Sequence, residues 1–161
     1  MKWREARALA LREICLERAP VLLATAVPVT QFDDVLGLLI RDIFETMYAA
    51  QGRGLAAPQV GVSQRVFVVD IAWKEADPEP MLFVNPRIVG KADGQTDGEE
   101  ACLSIPGKRF CVSRPDWVEM AWQDLDGAAK SGRFEGLQAV CICHEFDHLN
   151  GVLITHSGTQ L

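Results

Sequence analysis

The pattern that most constrains this chain is Cys143-His144-Glu145-Phe146-Asp147-His148-Leu149-Asn150-Gly151, an H-E-x-x-H sequence inside what reads as the last helix. Four residues along a helix amount to roughly 400° of rotation and about 6 Å of rise, so His144 and His148 project from one face. Two imidazoles placed there can grip one metal ion. Glu145 stands beside the first of them, where its carboxylate can reach a reacting water rather than the metal.

Two histidines four apart around an acid also arise in amphipathic helices that bind nothing, so the pattern alone leaves both readings open. A catalytic metal wants three protein ligands and one open position. Little chain follows His148. The metzincin extension H-E-x-x-H-x-x-G-x-x-H is matched as far as Gly151 and then fails at Ile154. His156 arrives two positions late and reads as a solvated tail residue. The third ligand is therefore expected upstream.

A chain of 161 residues suits one domain, with residues 1–11 as a lead-in and 155–161 as a short tail. No apolar run approaches a membrane span, so the chain reads as soluble. The net charge of -6 and the absence of any Lys/Arg block argue against direct nucleic-acid binding. Five cysteines, an odd number without the spacing of a disulfide framework, point to a reducing compartment such as the cytoplasm. Residues 1–13 lack a secretory h-region and read as an amphipathic helical lead-in.

Pro20 and Pro28 punctuate an apolar segment, residues 12–29, expected to wrap over a core. Thr30 offers an N-cap to a long helix in which Val35, Leu36, Leu39, Ile40, Ile43, Phe44 and Met47 recur at helical spacing up to Ala50, with Gly52 as C-cap. Residues 52–61, Gly-Arg-Gly-Leu-Ala-Ala-Pro-Gln-Val-Gly, suit either a tight loop or a backbone that comes close to something a Cβ would exclude. Residues 65–70 and 81–85 read as strands, with 87–89 as an edge continuation, and 91–100 as a loop leading to Glu-Ala-Cys-Leu-Ser at 100–104. Residues 109–114 and 117–123 alternate as strands joined through Pro115. Asp126-Gly127 marks a turn, Phe134-Glu135 a short return strand, and Gly136 opens the last helix, with Leu137, Val140 and Cys141 as its apolar positions. The order predicts an α+β fold: short, mainly antiparallel sheets packed around the H-E-x-x-H helix, with one other long helix.

Three stretches, G-x-G-L-A-A-P-Q-V-G at 52–61, E-A-C-L-S at 100–104 and H-E-x-D-H-L-N-G at 144–151, resemble in order, spacing and content the three signature motifs of the peptide deformylases. The resemblance runs over residues 12–154. It implies a metal-dependent hydrolase that removes the formyl group from N-terminal formylmethionine of nascent bacterial or organellar polypeptides. Carried over by position, it makes Cys102, His144 and His148 the metal ligands and Glu145 the general acid/base. Gln59 and the backbone N–H of Leu103 become the donors to the developing oxyanion. Substrate contacts fall to the backbone at Gly52, Arg53, Gly54 and Ala101, with Cys141 a wall of the methionine pocket. The implied metal is ferrous iron, with zinc or nickel as substitutes.

Several residues depart from the family pattern. Ala101 stands where glycine is usual, Cys143 where glutamine precedes H-E, and Arg53 where a small aliphatic residue sits between the glycines. The stem of Arg53 is expected to cover the methionine pocket, the alternative being a cation that steers the carboxylate of a short peptide. The chain stops soon after the last helix, without the basic C-terminal helix through which some members meet the ribosome, so only transient ribosome proximity is implied. Two other readings stay open: a diverged paralogue acting on another formylated or acylated amine, and a metal-binding protein without turnover.

Overall fold

A computed structural model describes residues 11–161. The helical lead-in expected over residues 1–13 lies outside these apart from residues 11–13, which form no helix.

The run Val-Phe-Val-Val forms strand β2 (Val66–Val69), and all four of its side chains are buried. A strand buried on both faces has to be covered twice. Helix α1 (Asp34–Ala49) covers one face, where Leu39, Ile43 and Met47 share a core with Val66 and Val68. Helix α2 (Gly136–Leu149) covers the other, where Ala139, Ile142 and Leu149 share a core with Phe67 and Val69. β2 pairs with β1 (Gly54–Ala56) and β3 (Met81–Lys91), and β6 (Trp117–Gln123) and β7 (Ala129–Glu135) complete an antiparallel sheet in the order β1-β2-β3-β6-β7. Phe67 and Phe83 are cross-strand partners whose stacked rings lie 4.7 Å apart.

A second antiparallel sheet, in the order β4-β5-β8, joins β4 (Gln95–Cys102), β5 (Ile105–Pro115) and β8 (Thr159–Gln160). Its Cys102, Ile105, Phe110 and Val112 pack with Leu22 and with Leu153 and Ile154 at the one-turn helix α3 (Ile154–Ser157). The chain is α+β, with two small antiparallel sheets about the H-E-x-x-H helix and one other long helix, as the sequence predicts. Among the described residues no helix is long and apolar enough to cross a membrane.

The departures from expectation are local and have physical causes. Asp33, not Thr30, caps α1, its carboxylate accepting the Leu36 N–H at 3.0 Å. Val35 is exposed, so the buried stripe begins at Leu36. At the other end Gln51 takes the left-handed backbone, with φ 58, that was expected of Gly52. A Cβ at Gly52 would instead crowd Leu103, standing 2.8 Å from the Cδ1 end of that side chain. Most of residues 91–100 belongs to β4 rather than to a loop. This polar stretch is exposed nearly throughout and carries no alternation, and pairing with β5 makes it a strand. β5 and β7 also begin earlier than expected, and the strands joined through Pro115 fall in different sheets. α2 is not the last helix, since α3 and β8 follow it. Leu137, Val140 and Cys141 line a cleft, with Cys141 also packed against the core.

The segment preceding α1 wraps over the core and laces two turns together. Cys15 N–H donates to the Gln59 carbonyl at 2.7 Å, and Glu17 N–H donates to the Ser104 carbonyl at 2.9 Å. A buried ion pair ties the small sheet to α2. Arg114 of β5 donates Nε and Nη2 to the carboxylate of Glu100 on β4 at 2.8 and 2.9 Å, and Nη1 to Asp147 of α2 at 2.7 Å. Burial works against the charge on Glu100, but the hydrogen bonds from Arg114 and His144 outweigh it and hold its pKa below the usual carboxylate value. Removing one partner of such a pair strands the other charge out of water. Arg114→Met should therefore lower the unfolding free energy by roughly 3–5 kcal/mol in urea denaturation. A loss below about 1 kcal/mol would show that Glu100 finds compensation elsewhere.

Candidate active site

The turn Leu103-Ser104 joins β4 to β5, with Cys102 and Ile105 paired across it. It presents Cys102 to the inner face of α2, where the i, i+4 spacing turns His144 and His148 the same way. The Cys102 sulfur and one nitrogen from each histidine lie within 4.8 Å of one another. Cys102 Sγ is 3.5 Å from His148 Nε2. All three residues are buried or nearly so. A thiol and two imidazoles converging in this way fit a single divalent metal with one position left open. The five cysteines are all free.

The histidines are held differently. His144 Nδ1 is 2.9 Å from Glu100 Oε1. A carboxylate bound to arginine can only accept, so Nδ1 carries the proton and Nε2 is left to face the site. Burial lowers the pKa of His144, but hydrogen bonds to Cys102 and Glu100 overcome this and raise it to about 10. A bound cation would displace the Nε2 proton, since a ligand nitrogen must be bare. His148 moves the other way, its pKa pushed well below the ordinary value by burial and then by the charge of His144.

Glu145 lies against β1. Its Oε1 is 3.9 Å from His144 Nε2, and its Oε2 is buried with no hydrogen-bond partner among the described residues. Burial raises its pKa to about 7, partly offset by the charge of His144. A Cβ on Gly54 would come within 2.8 Å of Glu145 Oε1, so the second glycine of the G-x-G stretch makes room for this carboxylate.

Gln59 belongs to the 3-10 turn Ala57–Val60 and is 1% exposed. Its Oε1 accepts the Ala56 N–H at 2.9 Å, which turns Nε2 toward the site. Nε2 donates to Ser104 Oγ at 3.1 Å and stands 3.6 Å from Cys102 Sγ.

These groups open into one cleft of about 450 Å³. Gly52, Arg53, Gly54, Ala101, Leu103 and Cys141 all line it, so every residue singled out for substrate contact reaches the same space. His148 stands behind the wall, and Cys143 of α2 packs into the core. Arg53 does not simply lie along the apolar wall: its Nη2 donates to Glu75 Oε1 at 2.6 Å. His156 is exposed, as expected of a solvated residue. Sequence reasoning assigns no role to Glu100, Ser104 or Arg114. Glu100 is two residues before Cys102 and shares its buried face of the strand, which is the signal by which it could be found. Nothing in the sequence marks Arg114.

The Polypeptide deformylase family profile matches residues 11–161. The peptide deformylase of Novosphingobium aromaticivorans is 42% identical over 164 residues, covering 90% of this chain and 87% of that protein. That of Brucella suis is 49% identical over 135 residues, covering 83% and 77%. The crystal structure of peptide deformylase from Thermotoga maritima superposes with a TM-score of 0.87 at 39% identity, over 92% of this chain and 97% of that one. Sequence, fold and the converging thiol, imidazoles and carboxylate thus agree: the chain belongs to the peptide deformylase family, whose members are metal-dependent enzymes that remove N-formyl groups.

Proposed function

We propose that the chain hydrolyses the N-formyl group of N-terminal formylmethionine in nascent polypeptides, with Glu145 moving the proton. In this reading Gln59 and the Leu103 N–H receive the formyl oxygen, and Cys102, His144 and His148 hold one metal ion. The observation that carries it is the meeting of a thiol, two imidazoles and a buried carboxylate of raised pKa, three of these four groups lining one cleft and His148 standing just behind its wall. The ion would supply a Lewis acid that acidifies water and polarises a carbonyl. The ligand chemistry suits Fe(2+), the proposed cellular metal, and also Zn(2+) or Ni(2+).

Glu145 is matched to its task because a carboxylate with a pKa near neutrality both takes and returns a proton at working pH. It takes one from the water that attacks the formyl carbon and returns it to the amine as the C–N bond breaks, leaving formate and a free N-terminus. Among the described residues its Oε2 has no donor to compete with that water. Gln59 is held by Ala56 with its amide N–H groups facing inward, so a donor is in place before charge gathers on the formyl oxygen. Cys141, Val140 and Leu137 form the apolar wall for the methionine side chain. The backbone at Gly52, Arg53, Gly54 and Ala101 flanks the peptide that follows. N-formylmethionyl peptides are the proposed partners, met in the bacterial cytoplasm near the ribosome, without nucleic-acid or membrane contact.

Elemental analysis should find one metal per chain and nearly none in Cys102→Ala; undiminished metal in that variant would remove Cys102 from the ligand set. Glu145→Gln should keep its metal and lose about 100- to 10,000-fold in formate release, because an amide cannot accept the proton. Near wild-type turnover by the metal-loaded variant would exclude the role. Gln59→Ala should lower kcat by about 100-fold with KM changed little, the mark of an interaction made in the transition state. A rise in KM at constant kcat would make Gln59 a ground-state contact instead.

A further inference from the structure

Outside the residues that converge on the metal site, the cleft carries three cations on three separate segments: Arg53 next to β1, Lys74 in the turn after β2, and Lys108 on β5. This contrasts with a chain whose net charge is -6. Three carboxylates line the same space, and two of them are bound by arginines. Glu100 is bound by Arg114, Glu145 lies at the floor, and Glu99 pairs with Arg109 at 3.3 Å. The two lysines are held more loosely. Lys74 has no carboxylate within ion-pair distance among the described residues, and Lys108 Nζ is 3.9 Å from Glu17. Arg53 reaches Glu75, whose side chain is 65% exposed, through Nη2, while its Nε is buried without a partner among the described residues.

The geometry of this wall is fixed by backbone contacts. Trp73 Nε1 donates to the Gly52 carbonyl at 2.9 Å, and Asp70 N–H donates to the Arg53 carbonyl at 2.8 Å. Asp70 in turn accepts the N–H groups of Ala72, Trp73 and Glu79, which shapes the turn bearing Lys74 and Glu75. The two residues are therefore set beside Arg53 by a structured turn and not by chance rotamers. An extended peptide advances about 3.3 Å per residue, so the first residues after the methionine, if they leave along this wall, come within reach of these cations. Glu75 then occupies the place that a substrate carboxylate could take.

We propose that this cleft selects, among formylmethionyl peptides, those carrying Asp or Glu in the residues that follow the methionine. The inference rests on the deformylase reading of the site and adds a substrate class to it. Glu75 competes with the substrate for Arg53 and Glu17 competes more weakly for Lys108, whereas Lys74 has no carboxylate within ion-pair distance among the described residues.

The test compares kcat/KM for formyl-Met-Glu, formyl-Met-Gln and formyl-Met-Lys peptides, all amidated at the C-terminus so that only the side chain differs in charge. Wild type should prefer the Glu over the Lys peptide by about fivefold at low salt, and by less than about twofold near 0.5 M salt. The double variant Lys74→Gln/Lys108→Gln should lose most of that preference. Glu75→Gln should enlarge it by freeing Arg53, and Glu75→Gln/Arg53→Gln should remove the gain. Formate release from the Gln peptide reports the deformylase reading separately. Equal turnover of the three peptides, or a preference untouched by the lysine substitutions, would overturn the charge selection and leave that reading standing. No formate from any of them would overturn both.

Discussion

The site depends on one carboxylate whose oxygens are taken up by protein donors. Glu100 sits in the interior at the point where β4, β5 and α2 meet, and it accepts two N–H groups from Arg114 and one from His144. Arg114 reaches on to Asp147, which lies three residues beyond His144 on the same helix. A buried pair of this kind is poor evidence for net stability, because desolvation offsets most of the attraction. What it does is fix geometry. The small sheet, which carries Cys102, cannot slide against α2, which carries both histidines, without leaving a charge unpaired. The same contact sets the tautomer of His144, so one interaction fixes both the position of a ligand and which of its nitrogens faces inward.

How much of this is legible in the sequence follows from how far each feature depends on distant chain. The placement of His144, Glu145 and His148 is a property of one helix, and their spacing states it directly. Cys102 comes from another sheet, and only the resemblance of three motifs connects it to the histidines. Asp33 and Thr30 are both acceptable caps, and only the observed start of α1 distinguishes them. β4 is the clearest failure of pattern reading. Its residues 95–99 are all exposed, so no apolar alternation can appear, and its strand conformation comes from the ladder it forms with β5. Arg114 is similarly invisible, since an arginine in an alternating strand reads as a solvent-facing residue until its partner's position is known.

The G-x-G stretch shows how a weak pattern can have a strong cause. Neither Gly52 nor Gly54 has a positive φ, so torsional freedom does not explain them. Both lie where other side chains come too close for a Cβ: Leu103 at Gly52 and Glu145 at Gly54. The loop is therefore shaped from outside, by the turn that holds the proposed oxyanion donor and by the helix that holds the proposed base. Arg53, between them, points away from this crowding toward Glu75. That leaves its backbone at the cleft and its charge at the edge.

Glu100 and Glu145 also explain each other. Both are carboxylates buried beside the same histidine, yet their pKa values are displaced in opposite directions, Glu100 down and Glu145 up to about 7. Burial raises both, so the difference lies in what answers it. Glu100 has three N–H donors and a neighbouring guanidinium, and stays ionised. Glu145 has an oxygen with no partner among the described residues and only the charge of His144 to offset its burial. A carboxylate saturated with donors is a structural anion with no capacity left for proton transfer. One held dry and unsatisfied is poised to exchange a proton. Where two acids share a site and their surroundings push them apart, the surroundings assign the roles. Here they make Glu100 the fixture that orients His144 and suit Glu145 to the role of the proposed base.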